Sequence, residues 1–247
     1  NSGGRGGDVS LTANGIHANG RAISVTSIDT HGGQEYNYDG SQDGGNVTLV
    51  SNSVGISLTG TAIAITSINT RGGNDLGSSS AGNGGDVNIT TASGGVTITS
   101  IDTRGGNAAE NSSGGRGGDV TISATNGNIA IDHIDARGGS GRDGGDGGSV
   151  ALTTVSTGNI TVTGINTSGG NGGSDGGSGG TVTLTTGTGN ITAITIDTHG
   201  GNGGTSSGRR AGDVTLVATV SGDVSVGTID AYGGNGFDGG FVLMTSR

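Results

Sequence analysis

The sequence of 247 residues contains no cysteine, no proline and no tryptophan, and it has only two phenylalanines and three tyrosines. The absence of cysteine excludes disulfides and thiolate metal sites. Glycine accounts for 60 residues, but the absence of proline excludes a collagen triple helix. Because so few aromatic rings are available, any core must be thin and built from aliphatic side chains.

Lysine is also absent, so the ten basic residues are all arginine, against twenty acidic residues and a net charge of −10. This balance disfavours phosphate binding, and we expect no nucleic-acid partner. Apolar runs are only a few residues long, so we expect no membrane insertion. The chain begins at Asn1 with neither an initiator methionine nor a signal-peptide pattern, which suggests a mature product or an excised piece.

Two motifs alternate along the chain. The first is of the type Gly-Gly-Asp-Val-Thr-Leu, and its valines are Val9, Val47, Val87, Val120, Val150, Val182, Val214 and Val242. The second is of the type Ile-x-Val-x-x-Ile-Asp-Thr, and its second isoleucines are Ile28, Ile68, Ile101, Ile134, Ile165, Ile196 and Ile229. We interpret residues 1–247 as one domain of repeats whose units begin near residues 6, 44, 84, 117, 147, 179 and 211, with a partial unit from residue 239.

Each motif alternates apolar with polar or small residues, which is the pattern of a half-buried β-strand. Turns such as Asn126-Gly127-Asn128 join the strands, and the shift in apolar register from Ile131 to Ile134 predicts a second corner after Ile131. Extra strand-like sequence at residues 15–17 and 55–58 predicts a larger cross-section near the N-terminus. Glycine-rich loops between units would stack as an extended layer of their own.

A unit of this size cannot bury its apolar face alone, whereas stacked units about 4.8 Å apart bury a continuous column. The prediction is an all-β protein, a parallel β-solenoid of about seven to eight rungs, with Gly-rich loops on one side.

Three segments, residues 118–122, 127–129 and 101–106, resemble the repeats of filamentous-haemagglutinin-like proteins. The greatest similarity is to the Gly/Asn/Thr-rich repeats of large cyanobacterial and other bacterial exoproteins of the two-partner secretion type, and it covers essentially the whole chain. The resemblance implies a right-handed β-helix that is secreted to the cell surface or beyond and acts in adhesion, matrix or filament formation. This chain would then be a shaft segment or a fibre subunit.

An acidic or amide residue follows the second isoleucine in every unit, so stacking would align these residues in a column. One interpretation is turn capping, in which the side chains accept backbone N–H bonds. The alternative is Ca²⁺ bound between neighbouring carboxylates and loop carbonyls. The candidate ligands in that case are Asp29, Asp102, Asp135, Asp197 and Asp230.

Catalytic clusters are not evident in the sequence. His31 and His199 occupy equivalent positions about five rungs, or roughly 24 Å, apart, and cannot share a metal or a proton. His17 and His133 stand alone, and both glutamates, Glu35 and Glu110, lie in variable loops. We therefore expect no enzyme, and a polysaccharide-active site is a minor alternative.

Two further binding functions are compatible with the pattern. The loop side could recognise glycans through the loop aromatics Tyr36, Tyr38 and Tyr232. Outward threonines such as Thr121, Thr183 and Thr215 could bind ice, although valine, asparagine and alanine interrupt their columns.

The leading hypothesis is a structural or adhesive rod. Corresponding strands lie near both ends of the chain, and open strand edges recruit other strands unless they are blocked. We therefore predict end-to-end self-association through Val9, Leu11, Phe237, Phe241 and Val242.

Overall fold

The computed structural model describes residues 4–15, 21–34, 42–52, 60–109, 111–204 and 208–247, and these ranges contain fifteen β-strands and no helix. In chain order the strands are β1 (Val9–Ala13), β2 (Ile23–Asp29), β3 (Val47–Ser51), β4 (Thr61–Asn69), β5 (Val87–Thr91), β6 (Gly95–Asp102), β7 (Val120–Asn126), β8 (Ile129–Asp135), β9 (Val150–Thr157), β10 (Ile160–Asn166), β11 (Val182–Thr188), β12 (Ile191–Asp197), β13 (Val214–Ser221), β14 (Val224–Asp230) and β15 (Val242–Thr245).

The strands form two parallel sheets. The eight odd-numbered strands make the first sheet and the seven even-numbered strands make the second, each in chain order. Equivalent residues of successive units pair directly: Val120 lies between Val87 and Val150. Each unit thus adds one strand to each sheet, and the predicted all-β parallel solenoid is confirmed.

The core lies between the two sheets and is aliphatic. In one rung, Val120 and Ile122 of β7 face Ile129, Ile131 and Ile134 of β8, and each is at most 2% exposed. The same pattern recurs from rung to rung, so that β-branched and leucine side chains form continuous columns. The core is therefore thin and lacks aromatic rings in the described ranges, as its composition requires.

The second strand of each unit bends without breaking. Asp132 and His133 both face outward, the ladder to β10 has no pair at Asp132, and the core position is recovered at Ile134. The corner predicted after Ile131 is thus a bend inside the continuous strand β8 rather than a turn between two strands. The strand stays continuous because parallel pairing resumes at His133.

The turns between the two strands of a unit depend on glycine. Gly127, Gly158, Gly189 and Gly222 have φ between 136° and 146°, and no other residue type in the described ranges has a positive φ. The neighbouring asparagines therefore do not supply the positive φ here.

The glycine-rich loops form a third hydrogen-bonded layer. In a typical loop, an outgoing arm at Gly105–Gly106 and a returning arm at Gly115 bond to each other and to neighbouring rungs. Gly105 donates to Arg137 O (3.0 Å), Gly106 to Gly82 O (2.9 Å) and Gly115 to Gly106 O (2.9 Å). A Cβ on Gly106 would overlap the carbonyl of Gly73. Glycine is thus required for close backbone approach, and the expected glycine layer is present.

Residues 16–17 and 55–58 lie outside the described residues. The larger cross-section predicted near the N-terminus therefore stays a prediction.

Candidate functional site

The column of Asp and Asn residues at the end of the second strand caps a turn in six successive units. In each, the side-chain Oδ1 accepts the backbone N–H of the residue two positions later. The donor-acceptor distances are 3.3 Å at His31, 3.3 Å at Arg71, 3.2 Å at Arg104, 3.4 Å at Arg137, 2.9 Å at Ser168 and 3.1 Å at His199. These are the hydrogen bonds expected from turn capping.

Four of the five candidate calcium ligands are also paired with basic side chains. The Arg104 guanidinium donates to Asp102 from Nε and Nη2 at 2.9 and 2.7 Å, and Arg137 does the same to Asp135 at 2.9 and 3.0 Å. The Nδ1 atoms of His31 and His199 contact Asp29 and Asp197. The fifth candidate, Asp230, ends β14 and pairs in register with Asp197.

These contacts shift three ionisation equilibria. The hydrogen bond from the His31 side chain is the largest cause of the lowered pKa of Asp29. Burial raises the pKa of Asp197, but hydrogen bonds from the side chain and backbone of His199 outweigh burial, so that this pKa is also lowered. The Asp102 carboxylate raises the pKa of Arg104. Each shift favours the charged form.

The described part of the chain brings together no group of three or more His, Asp or Glu side chains able to hold a metal ion. Calcium binding by the column stays a prediction, and it would have to compete with the arginine and histidine partners.

A column of buried threonines lies beside the acidic column. Thr30, Thr70, Thr103, Thr167 and Thr198 donate from Oγ1 to a glycine carbonyl on the returning arm of the glycine layer, at 2.7 to 2.8 Å. This bond fastens the layer to the end of the second strand. Ala136 and Ala231 occupy the same column without a hydroxyl group.

Further Asp and Asn residues form ladders that were not predicted from the sequence. At the start of the first strand, Oδ1 of Asp8, Asn46, Asp86 and Asp119 accepts the N–H of the equivalent residue one unit later, each at 2.8 Å. Asn128, Asn159 and Asn190 repeat the arrangement at the strand-joining turns. The available signal was the recurrence of Asp or Asn before the valine of five of the eight first strands.

The histidines lie apart. His31 and His199 make the same contact with their Asp partners in units far apart, and the His199 ring stacks on Tyr232 with centroids 5.0 Å apart and planes at 6°. His133 faces outward from β8 beside Gly164. His17, Glu35, Tyr36, Tyr38 and Glu110 lie outside the described residues.

The predicted interface residues occupy the two ends of the described stack. Val9 packs against the core at the β1 end, where Leu11 is 37% exposed. At the β15 end Phe237, Phe241 and Val242 are 44%, 63% and 41% exposed. Leu11, Ala13, Ile23 and Val25 line an open depression of about 760 Å³ at the β1 end. Both ends thus present apolar side chains.

The outward threonines align as predicted. Thr121, Thr183 and Thr215 lie on the outer face of the first sheet in register with Ala151 and Asn88. The face is thus mixed in chemistry, and ice binding stays a prediction.

Comparisons with protein-family models, with curated proteins and with solved structures found no match to this chain. The resemblance to filamentous-haemagglutinin-like repeats stays a prediction. Within the ranges described above, no helix is long and apolar enough to span a bilayer.

Proposed function

We propose that this chain is an extracellular structural and adhesive rod, a solenoid shaft that associates end to end. The observation that best supports this proposal is the regularity of the repeat. From β1 to β15 equivalent strands of successive units pair in parallel, with a register shift in only four of the thirteen pairings, and the column contacts repeat with few substitutions. A catalytic site usually breaks such a repeat, whereas a support needs it continuous. The extracellular and adhesive parts of the proposal rest on the repeat resemblance.

Hydrogen bonds between successive rungs should make the stack stiff. Three separate layers of hydrogen bonds connect each rung to the next: the two sheets and the glycine layer. Side-chain ladders add further bonds in the same direction. Since rungs lie about 4.8 Å apart, the seven complete rungs form a body roughly 34 Å long.

End-to-end association is proposed to cover apolar surface. The depression beside Leu11 and Val25 lies at the end of the stack formed by β1 and β2. The exposed Phe241, Val242 and Met244 lie at the opposite end, at β15. Parallel pairing of β1 of one copy with β15 of another would continue the register in which Val9 pairs with Val47 and Val214 with Val242. The occupant we propose is a second copy of the chain.

Electron microscopy and sedimentation of the 247-residue protein at increasing concentration test the proposal. We expect straight filaments that shorten when Leu11→Asp or Val242→Asp places a charge at one end. Val155→Asp is the matched control, because Val155 is 55% exposed on the side of the stack. Monodisperse short rods at every concentration would refute self-association, and compact globular particles would refute the rod itself.

The alternative function is glycan recognition by the loop side. Of the three tyrosines predicted to stack on sugars, only Tyr232 lies in the described residues, where His199 covers one face of its ring. A shared tyrosine site is therefore not supported.

A further inference from the structure

A polar trough runs along the solenoid beside the acidic column. It consists of two adjoining depressions of about 340 and 360 Å³ that share Arg71. One wall carries His31, Arg71, Arg104, Arg137, Ser168 and His199, and the other carries Gln34, Asn74, Asn107, Ser140 and Asn171. We call this surface the arginine trough. Because each wall repeats once per rung, the trough extends over five rung intervals, about 24 Å.

The floor of the trough is rigid backbone. Gly105, Gly138 and Gly169 donate their N–H groups to the carbonyls of Arg137, Ser168 and His199 at 3.0, 3.0 and 2.9 Å. The floor thus repeats at the rung spacing along the stack, which suits an extended linear ligand rather than a compact one.

The arginines of the trough are not equally neutralised. Arg104 and Arg137 each hold the carboxylate two residues earlier in a two-bond fork. At Arg71 the equivalent residue is Asn69, which carries no charge. The nearest carboxylate oxygen, Oδ2 of Asp102, is 3.7 Å from Arg71 Nε and already bonds Arg104 at 2.7 Å. Within 4.0 Å the three guanidinium groups thus share the carboxylates of Asp102 and Asp135. Asp197 also lines the trough and attracts Arg137 electrostatically, which leaves Arg71 as the arginine with the weakest pairing.

Arg71 also has a buried donor without an acceptor. Its Nε is buried and has no hydrogen-bond partner among the described residues. Buried donors on charged groups are seldom left unpaired. The buried Nε is closed to a ligand in the trough, but the Arg71 side chain as a whole is 36% exposed, so a ligand would bond its terminal Nη groups. A planar carboxylate matches two such parallel guanidinium donors.

The opposite wall can bind hydroxyl groups. Oδ1 of Asn107 accepts the N–H of Ser140 at 2.9 Å, and Oδ1 of Asn171 accepts that of Asn202 at 2.9 Å. Their amide NH₂ groups are the remaining hydrogen-bonding atoms of these side chains and are donors. A row of amide and hydroxyl donors opposite an unsatisfied arginine fits a chain molecule with many hydroxyl groups and at least one carboxylate.

We propose that the arginine trough binds a linear polysaccharide bearing carboxylate groups, with one carboxylate held by Arg71. This adds a ligand to the adhesive role proposed above. It does not depend on end-to-end association, since the trough lies along the side of the stack.

Binding of polygalacturonate fragments, measured by calorimetry at low ionic strength with EDTA present, tests the proposal. We expect Arg71→Gln to weaken binding about tenfold or more, because a charge-assisted hydrogen bond is lost. Arg71→Lys keeps the charge but not the fork, so its affinity should also fall. Arg116→Gln is the control, since Arg116 pairs with Asp119 at 3.1 Å outside the trough and the charge change is the same.

Dextran and dextran sulfate serve as the neutral and the sulfated comparison ligands. Neutral dextran should bind much more weakly, and Arg71→Gln should change dextran sulfate binding less than polygalacturonate binding. Absence of polygalacturonate binding, equal losses in Arg71→Gln and Arg116→Gln, or full affinity in Arg71→Lys would each overturn the proposal. If Arg71→Gln weakened dextran sulfate binding more than polygalacturonate binding, the group bound by Arg71 would be a sulfate and not a carboxylate. Electron microscopy of the same samples tests the rod separately.

Discussion

Thr103 and Gly118 are joined by two reciprocal hydrogen bonds although fifteen residues separate them. The Thr103 hydroxyl donates to Gly118 O at 2.8 Å, and Gly118 N–H donates to Thr103 O at 2.7 Å. The pair closes the glycine loop against the end of the second strand. Thr103 is fully buried, so neither bond competes with solvent.

Replacing Thr103 by valine should destabilise the protein by about 1–2 kcal/mol, because the shape is kept while the buried carbonyl of Gly118 loses its hydroxyl partner. Ala136 offers the reverse test. Gly148 N–H donates to Ala136 O at 2.7 Å, but no hydroxyl completes the pair, so Ala136→Thr should raise the melting temperature. Thermal unfolding followed by circular dichroism measures both changes. Equal melting temperatures for Thr103→Val and the wild type would show that the hydroxyl bond adds nothing.

The glycine layer should tolerate alanine at some positions and reject it at others. Gly106→Ala would place a methyl group against the carbonyl of Gly73, and we expect a loss of about 3 kcal/mol or more. Gly173→Ala is the control from the same layer, because the nearest atom to its Cβ would be 3.9 Å away. The two melting temperatures provide the comparison. Similar values would mean that the layer relaxes freely and that its glycines are not required for packing.

The strands were predictable from local sequence alone. Alternation in Val120-Thr121-Ile122 and Ile129-Ala130-Ile131 marks one buried face, and the repeat spacing places equivalent residues in the same column. The glycine layer was also predictable, because side chains at Gly105 and Gly106 would keep backbones apart. These features depend on residue type and period, both of which the sequence contains.

The contacts between columns were harder to predict from the sequence. The clamp from Thr103 to Gly118 depends on how the loop returns, and the Asp86 side chain could have capped its own turn instead of bonding Asp119 in the next unit. The unsatisfied Arg71 was missed for a similar reason. Asn69 in place of Asp is a small change in sequence, and its consequence is visible only beside the forks of Arg104 and Arg137.

Acid should weaken the hydrogen bonds between Asp197 and His199 at the capped turn. The pKa of Asp197 is lower in the folded protein than its ordinary value of 3.8, so its contribution to stability is present above that value and is lost as the pH falls through the folded pKa. Asp197→Asn keeps an acceptor for the His199 N–H but cannot ionise. We expect the variant to melt below the wild type at pH 7 and the difference to shrink progressively as the pH falls below 3.8. A difference independent of pH would show that ionisation of Asp197 does not stabilise the capped turn.

Removal of divalent cations should leave the protein's stability unchanged. Asp102 and Asp135 already receive two guanidinium bonds each, and a Ca²⁺ ion needs six or more oxygen ligands, which would require breaking those forks. Melting curves with EDTA and with added CaCl₂ should therefore coincide. A rise in melting temperature with CaCl₂ that disappears in Asp135→Asn would instead assign a cation to the acidic column. Asp143→Asn is the control for that outcome, because Asp143 pairs with Arg142 in the loop outside the column.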